Sequence, residues 1–251
     1  MQTQIKTPVE IAAMREGGHM LATVLRDLSG QVEPGISTKD LAEIAKQKIG
    51  QLGGQPTTLG YHGFPDVICI SVNDEVVHGI PRPGHIINDG DIVSLDFCVT
   101  HKGMITDAAI SVIAGKPSSQ DKDLLIATER SLMAGISVVT AGARVGDISA
   151  AVQASLNKHG TYGIIRDLVG HGVGHEMHEE PNIPNYGKKG TGQTLVAGMT
   201  LAIEPMATLG GFEIQTDPDN WTIRTKDGSL AAHFEHTVLV TNDGVEILTT
   251  L

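Results

Sequence analysis

The sequence predicts an α+β domain assembled from two similar halves, and three observations carry that prediction. A capped helix pair near the start recurs 107 residues later, apolar β-branched runs follow each pair, and each half places two acids inside or at the head of such runs. With 251 residues, 40% hydrophobic and 19% charged, the chain can bury a core as one large domain or two small ones. A single domain over 1–251, with halves of roughly 1–115 and 116–251, is the organisation the repeat favours.

The first helix starts at Thr7 as N-cap, with Pro8 in the first helical position and Glu10 completing a capping box; Ile11, Met14, Leu21, Leu25 and Leu28 share one face. Glu33-Pro34-Gly35 turns the chain. A second helix opens at Ser37 with Asp40 three residues on, is expected to bury Leu41, Ile44, Ala45, Ile49 and Leu52, and ends at Gly53-Gly54. In the second half, Ser118 and Asp121 cap a helix carrying Leu124, Leu125, Leu132, Ile136 and Val139, Ala141-Gly142 turns, and Ile148, Ala151, Val152 and Leu156 mark a helix ending near Gly160. Val32 to Gly53 aligns with Val139 to Gly160 over 22 residues without a gap, turn, acid and terminal glycine included, which favours internal duplication.

The strand-like runs extend the match. Ile92 to Phe97 contains Asp96 and Met199 to Pro205 contains Glu204; Asp107 precedes Ala108 to Ile113 as Glu235 precedes His236 to Val240. An ionised carboxylate withdrawn from water costs several kcal/mol unless it is paired or bound to metal. Near these runs the only basic candidates for pairing are Lys102 and Arg224. Four acids at equivalent places favour coordination, and four carboxylates with an imidazole fit two hard or borderline cations better than one.

The imidazole comes from His171 to Pro181, His-Gly-Val-Gly-His-Glu-Met-His-Glu-Glu-Pro. Gly172 and Gly174 argue against a helix, so the His171/His175 spacing is not read as a helical zinc pair. In an extended segment His171 and His175 could share a side and His178 would point away, so one ligand from this stretch is expected.

Composition narrows the function classes. A net charge of -11 disfavours binding to nucleic acid or to anionic membranes. Cys69 and Cys98, the only cysteines, make no disulfide framework. The start, Met-Gln-Thr-Gln-Ile-Lys, lacks an apolar signal core and no run approaches the ~18 apolar residues of a membrane span, so a reducing cytoplasm is the default.

Asp96, Asp107, His171, Glu204 and Glu235, in that order, with His-Gly-x-Gly around 171, His178-Glu-Glu-Pro and Glu204-Pro-Met, resemble the type I methionine aminopeptidases of family M24. The likeness runs from Ile5-Lys6-Thr7-Pro8 to Glu246-Ile247-Leu248. It implies the pita-bread fold, a curved antiparallel sheet with two helix pairs about a pseudo-twofold axis. It implies two divalent ions per chain, with Co, Mn, Fe, Zn and Mg not distinguished by the ligand types. Asp96 would chelate one ion, Asp107 and Glu235 would bridge both, and His171 and Glu204 would complete the other, activating water for attack on a peptide carbonyl. Glu204 would carry the proton, His178 would donate to the developing oxyanion and His78 would steady the peptide nitrogen. Tyr61, Phe64, Cys69 and Trp221 would line the methionine pocket, as would Met177, which stands where the family usually has an aromatic. Ala108-Ala109 replaces a pair that commonly carries hydroxyls.

The activity so implied is release of the initiator methionine from nascent chains with a small second residue, in the cytoplasm, by a monomer in transient contact with the ribosome. Gln2 would leave Met1 of this chain in place. Three other readings stand beside it: an Xaa-Pro aminopeptidase or dipeptidase of the same fold, which would carry an additional N-terminal domain; a non-catalytic binding protein on that fold; and a mononuclear zinc hydrolase using the 171–178 cluster alone.

Overall fold

The computed structural model describes residues 4–251; Met1 and Gln2, on which retention of the initiator residue turns, lie outside them. The first half runs α1 (Pro8–Ser29), α2 (Thr38–Leu52), β1 (Gln55–Pro56), β2 (Cys69–Val72), β3 (Glu75–Val77), β4 (Ile92–His101) and β5 (Met104–Ile113). The second opens with α3 (Ser119–Ile136), α4 (Val145–His159), β6 (Gly163–Ile164), β7 (Gly170–Gly172) and β8 (Glu179–Ile183). It continues with β9 (Thr200–Ile203), β10 (Met206–Thr208), β11 (Ile214–Thr216), β12 (Ile223–Thr225), β13 (Ala231–His233), β14 (Glu235–Thr241) and β15 (Gly244–Ile247).

The helix starts follow local chemistry. Thr7 Oγ1 accepts from the Glu10 N–H while Glu10 accepts from the Thr7 N–H (2.7 Å), and the same exchange links Ser37 with Asp40 and Ser118 with Asp121. Two expectations fail at helix ends. Leu52 is 40% exposed in the last turn of α2, and Val139, though buried, lies three residues past the end of α3. Both side chains satisfy the helical spacing, but only the final turn's position against the sheet decides which way they face.

A nine-stranded antiparallel sheet forms the centre, in the order β1-β4-β5-β14-β9-β7-β8, with β2 added on β4 and β15 on β14. Leu21, Val24, Leu28, Leu41 and Ile49 of α1 and α2 pack with Leu95, Phe97 and Val99 of β4, while α3 and α4 pack with Leu201, Ile203 and Val238 of β9 and β14. Each helix pair therefore covers its own half of the sheet. Side chains alternate faces along a strand, so Asp96 and Cys98 project away from α1 and α2.

The halves meet where β5 pairs with β14, Glu235 opposite Ala109; Ala109 in turn lies opposite Asp96. Asp96, Ala109 and Glu235 thus form one row across three strands, with Asp107 opposite Cys98 in the next row on that face. The offset between matching acids grows from 108 residues for Asp96/Glu204 to 128 for Asp107/Glu235. The extra length lies between β9 and β14 and builds two three-stranded sheets, β13-β10-β6 and β11-β12-β3. The second recruits β3 from the first half and so carries His78 beside Trp221. Among the described residues no helix is long and apolar enough to cross a membrane.

Candidate functional site

Five strands deliver the acids and the imidazole to one cavity of about 100 Å3, lined by Asp96, Asp107, His171, Glu204 and Glu235. Asp96 lies within β4, Asp107 within β5 and His171 at the middle of β7; Glu204 follows β9 and Glu235 opens β14. The ligand atoms of Asp107, His171 and Glu235 lie within 4.8 Å of one another, as do those of Asp96, Cys98 and Asp107. Asp107 belongs to both groups, which places it between two clusters of donors.

Ion pairing does not explain these acids. Among the described residues the only ionic neighbours of the four are imidazoles, His171 Nε2 at 3.4 Å and His233 Nε2 at 3.7 Å, both from Glu204. Lys102 pairs with Glu16 instead, and Arg224 with Asp217, Asp74 and Glu75. Asp107 Oδ1 and Glu235 Oε1 are buried without a hydrogen-bond partner. Orphaned oxygens of this kind are costly in a native core. A cation would satisfy them, and an oxygen-rich donor set with one nitrogen suits a hard or borderline divalent ion. The residues present therefore fit a metal.

Electrostatics follow from this crowding. Burial, then repulsion from neighbouring acids, pushes Asp96, Glu204 and Glu235 well above the usual carboxylate range, and burial raises Asp107 to about 6. Burial holds His171 down to about 3, with His178 adding to the effect. Its Nδ1 donates to the Gly172 carbonyl at 2.8 Å, which leaves the Nε2 lone pair free to accept a cation. Burial also lowers His78 to about 4 and His178 below its ordinary value.

The expectation for His178 needs correction. β7 ends at Gly172 and the chain turns at Gly174 (φ +149°), so strand alternation does not carry through to residue 178. His178 comes back beside His171, ring centroids 4.5 Å apart, and it is His175 that points away, its Nε2 2.8 Å from Glu10. Tyr61 Oη lies 2.9 Å from His178 Nδ1. His78 holds φ +59°, a strained conformation for a residue other than glycine, and its ring stands 6.4 Å from that of Trp221.

Tyr61, Phe64, Cys69, Met177 and Trp221 all line the same cavity, Phe64 and Trp221 edge to face at 5.1 Å. Sequence reasoning missed Thr58, Val77, Cys98 and His233, which share that lining. Cys98 was findable, because two residues after Asp96 on a strand means the same face. His233 sits on a separate strand from Glu235, and no local pattern marks it.

A curved antiparallel sheet in twin halves, with buried acids and one imidazole at their junction and an apolar pocket alongside, defines a metal-dependent hydrolase of the pita-bread class. The chain belongs to metallopeptidase family M24, whose model matches residues 12–242. It is 44% identical over 244 residues to methionine aminopeptidase 1 of Bacillus subtilis, covering 97% of this chain and 98% of that one. The crystal structure of methionine aminopeptidase from Thermotoga maritima matches with a TM-score of 0.97 at 42% identity, over 100% of both chains. Prolidase from Pyrococcus furiosus shares the fold, with a TM-score of 0.78 at 19% identity, over 98% of this chain and 65% of that one.

Proposed function

We propose that this chain removes the N-terminal methionine from polypeptides whose second residue is small, acting as one catalytic domain over 1–251. The observation that carries the reading is the junction itself: orphaned oxygens of Asp107 and Glu235 beside His171, opening onto a pocket walled by Tyr61, Phe64 and Trp221. The full-length likeness to methionine aminopeptidases favours it over Xaa-Pro cleavage, for which the matching structures share the fold alone.

Two divalent cations would be held, Asp96 serving one, His171 and Glu204 the other, and Asp107 and Glu235 both. When bound they supply Lewis acidity that lowers the pKa of water and polarises a carbonyl. Everything else falls to side chains. Glu204, within reach of His171 and His233, takes a proton from the attacking water and passes it to the leaving amine. Tyr61 Oη lies 2.9 Å from His178 Nδ1, and donation from that hydroxyl would leave the proton of the neutral ring on Nε2, as an N–H offered to the oxygen on which negative charge develops. His78 steadies the peptide nitrogen. The unbranched thioether of methionine enters between Tyr61, Phe64, Cys69, Met177 and Trp221.

Substrates in the cell are the N-termini of nascent chains, met by a cytoplasmic monomer in transient contact with the ribosome; sedimentation and ribosome pelleting test those two points. The decisive assay uses Met-Ala, Met-Gly, Met-Lys and Ala-Pro peptides across added Mn, Fe, Co, Zn and Mg. Release of methionine only before small residues is the expected result, and cleavage confined to Ala-Pro overturns the reading.

A further inference from the structure

Among the described residues and outside the proposed metal ligands, the most buried ion pair links the segment before α1 to the cavity. Lys6 and Glu179 have side chains only 1% and 2% exposed, and the Lys6 ammonium donates to Glu179 Oε2. Glu179 Oε1 meanwhile accepts from the backbone N–H of His175 (2.7 Å) and of Glu176 (3.2 Å), so this one carboxylate ties down the turn that precedes it. That turn carries Met177 and His178, both in the cavity lining. A Cβ on Gly174 would stand 2.3 Å from Lys6 Cε, so the turn lies directly on the lysine stem. The Lys6 N–H in turn donates to the Gly198 carbonyl at 2.9 Å, and Glu10 at the start of α1 reaches His175 at 2.8 Å.

We infer that Lys6 and Glu179 are positioning residues, a buried tie through which the N-terminal segment holds the 173–179 turn, and with it His178 and Met177, against the reacting centre. A buried pair is weak evidence for stability as such, because desolvation offsets much of the attraction. Here both Glu179 oxygens are spent on the turn and its anchor, a geometry that specifies one conformation. Two uncharged side chains of similar length at the same places would fill the space without fixing the loop. The inference rests on the role proposed for His178, and the test separates the two.

Two variants are compared with the parent enzyme, Lys6→Met and the double variant Lys6→Met/Glu179→Gln, which carries no buried charge at this pair and no link from residue 6 to the turn. For each, hydrogen exchange across 173–178, kcat and KM for a Met-Ala peptide, and Co uptake by calorimetry are measured. Expected for both is exchange about 10-fold faster in that segment with the 92–113 strands unchanged, kcat lower by about 10- to 100-fold, and Co uptake as in the parent. Should Lys6→Met fail to fold, the double variant carries the test. A double variant with the parent's exchange and kcat shows that Glu179 merely needs neutralising, and overturns the inference. In a His178→Ala background the kcat loss from Lys6→Met should shrink, since the tie acts through that ring; an undiminished loss also overturns it. If His178→Ala itself retains full activity, the role of His178 falls, while the exchange measurement still decides whether the tie holds the turn.

Discussion

Thr237 anchors Asp107 from the neighbouring strand: its hydroxyl accepts from the Asp107 N–H at 2.9 Å and donates to the Asp107 carbonyl at 2.7 Å. This supports the Asp107 backbone without any hydroxyl on Ala108 or Ala109. Ala108 packs beneath α1 and α2, and Ala109 lies in the row between Asp96 and Glu235, where a methyl leaves the floor clear for both carboxylates. Thr237→Val keeps the shape but strands a buried donor and acceptor, so unfolding should become easier by about 2 kcal/mol and metal affinity should drop by about 10- to 100-fold. Denaturant melts and calorimetric titration check the two effects. Met177 packs among Cys98, Met104 and Val173 as well as facing the pocket. Met177→Phe adds rigid bulk there, and we expect about 1–3 kcal/mol of destabilisation with a raised KM for Met-Ala; an unchanged KM would remove Met177 from the pocket wall.

Among the elements, two helix glycines separate packing from propensity. In α1, Gly18 presses on the C-terminal segment, where a Cβ would sit 2.1 Å from the Leu248 carbonyl oxygen; in α2, Gly50 has nothing within 4 Å. Gly50→Ala should therefore stabilise by about 1 kcal/mol through helix propensity, whereas Gly18→Ala should destabilise despite the same propensity gain. Thermal melts of the two variants must move in opposite directions. Helices were the most legible elements, because caps and a 3.6-residue period are local chemistry. Which turn of a helix meets the sheet is not, and Leu52 shows it. Strand runs were legible too, yet the segment between β9 and β14 gave no sign that it would borrow β3 and so bring His78 to Trp221.

For the whole molecule, the buried charges predict how pH and metal act together. Asp107, at about 6, and Asp96, Glu204 and Glu235, all raised by burial and by one another's charge, bind protons more tightly folded than unfolded. Their stabilisation is complete below the ordinary carboxylate value near 4 and is lost as pH rises through their folded values. Imidazoles act the other way. His171 and His233, at about 3, and His78 and His236, at about 4, contribute stability above about 6.5 that is lost as pH falls. From about 4 to 6.5 the two sets offset each other; above that range only the acids still titrate. The metal-free chain should thus lose Tm as pH rises above about 6.5, and saturating Mn or Co should abolish that loss, because cations displace the same protons. Calorimetric scans with and without chelator should show a metal-induced gain in Tm that widens with pH; a gain that narrows would mean the acids are not the ligands.

What the sequence by itself determined was the duplicated plan: two helix pairs, apolar runs that carry or border Asp96, Asp107, Glu204 and Glu235, and an imidazole at His171, all readable because period, cap and buried acid are properties of neighbouring residues. Only the tertiary structure decided that His178 returns beside His171, that His233 and Cys98 share the cavity, that Thr237 props Asp107, and that Lys6 reaches Glu179. The reason is that each depends on a turn or a strand pairing that no local pattern specifies. These contacts join segments up to 173 residues apart, and which of many compatible side chains meet across such a gap depends on how the sheet curves and where each turn lets the chain come back.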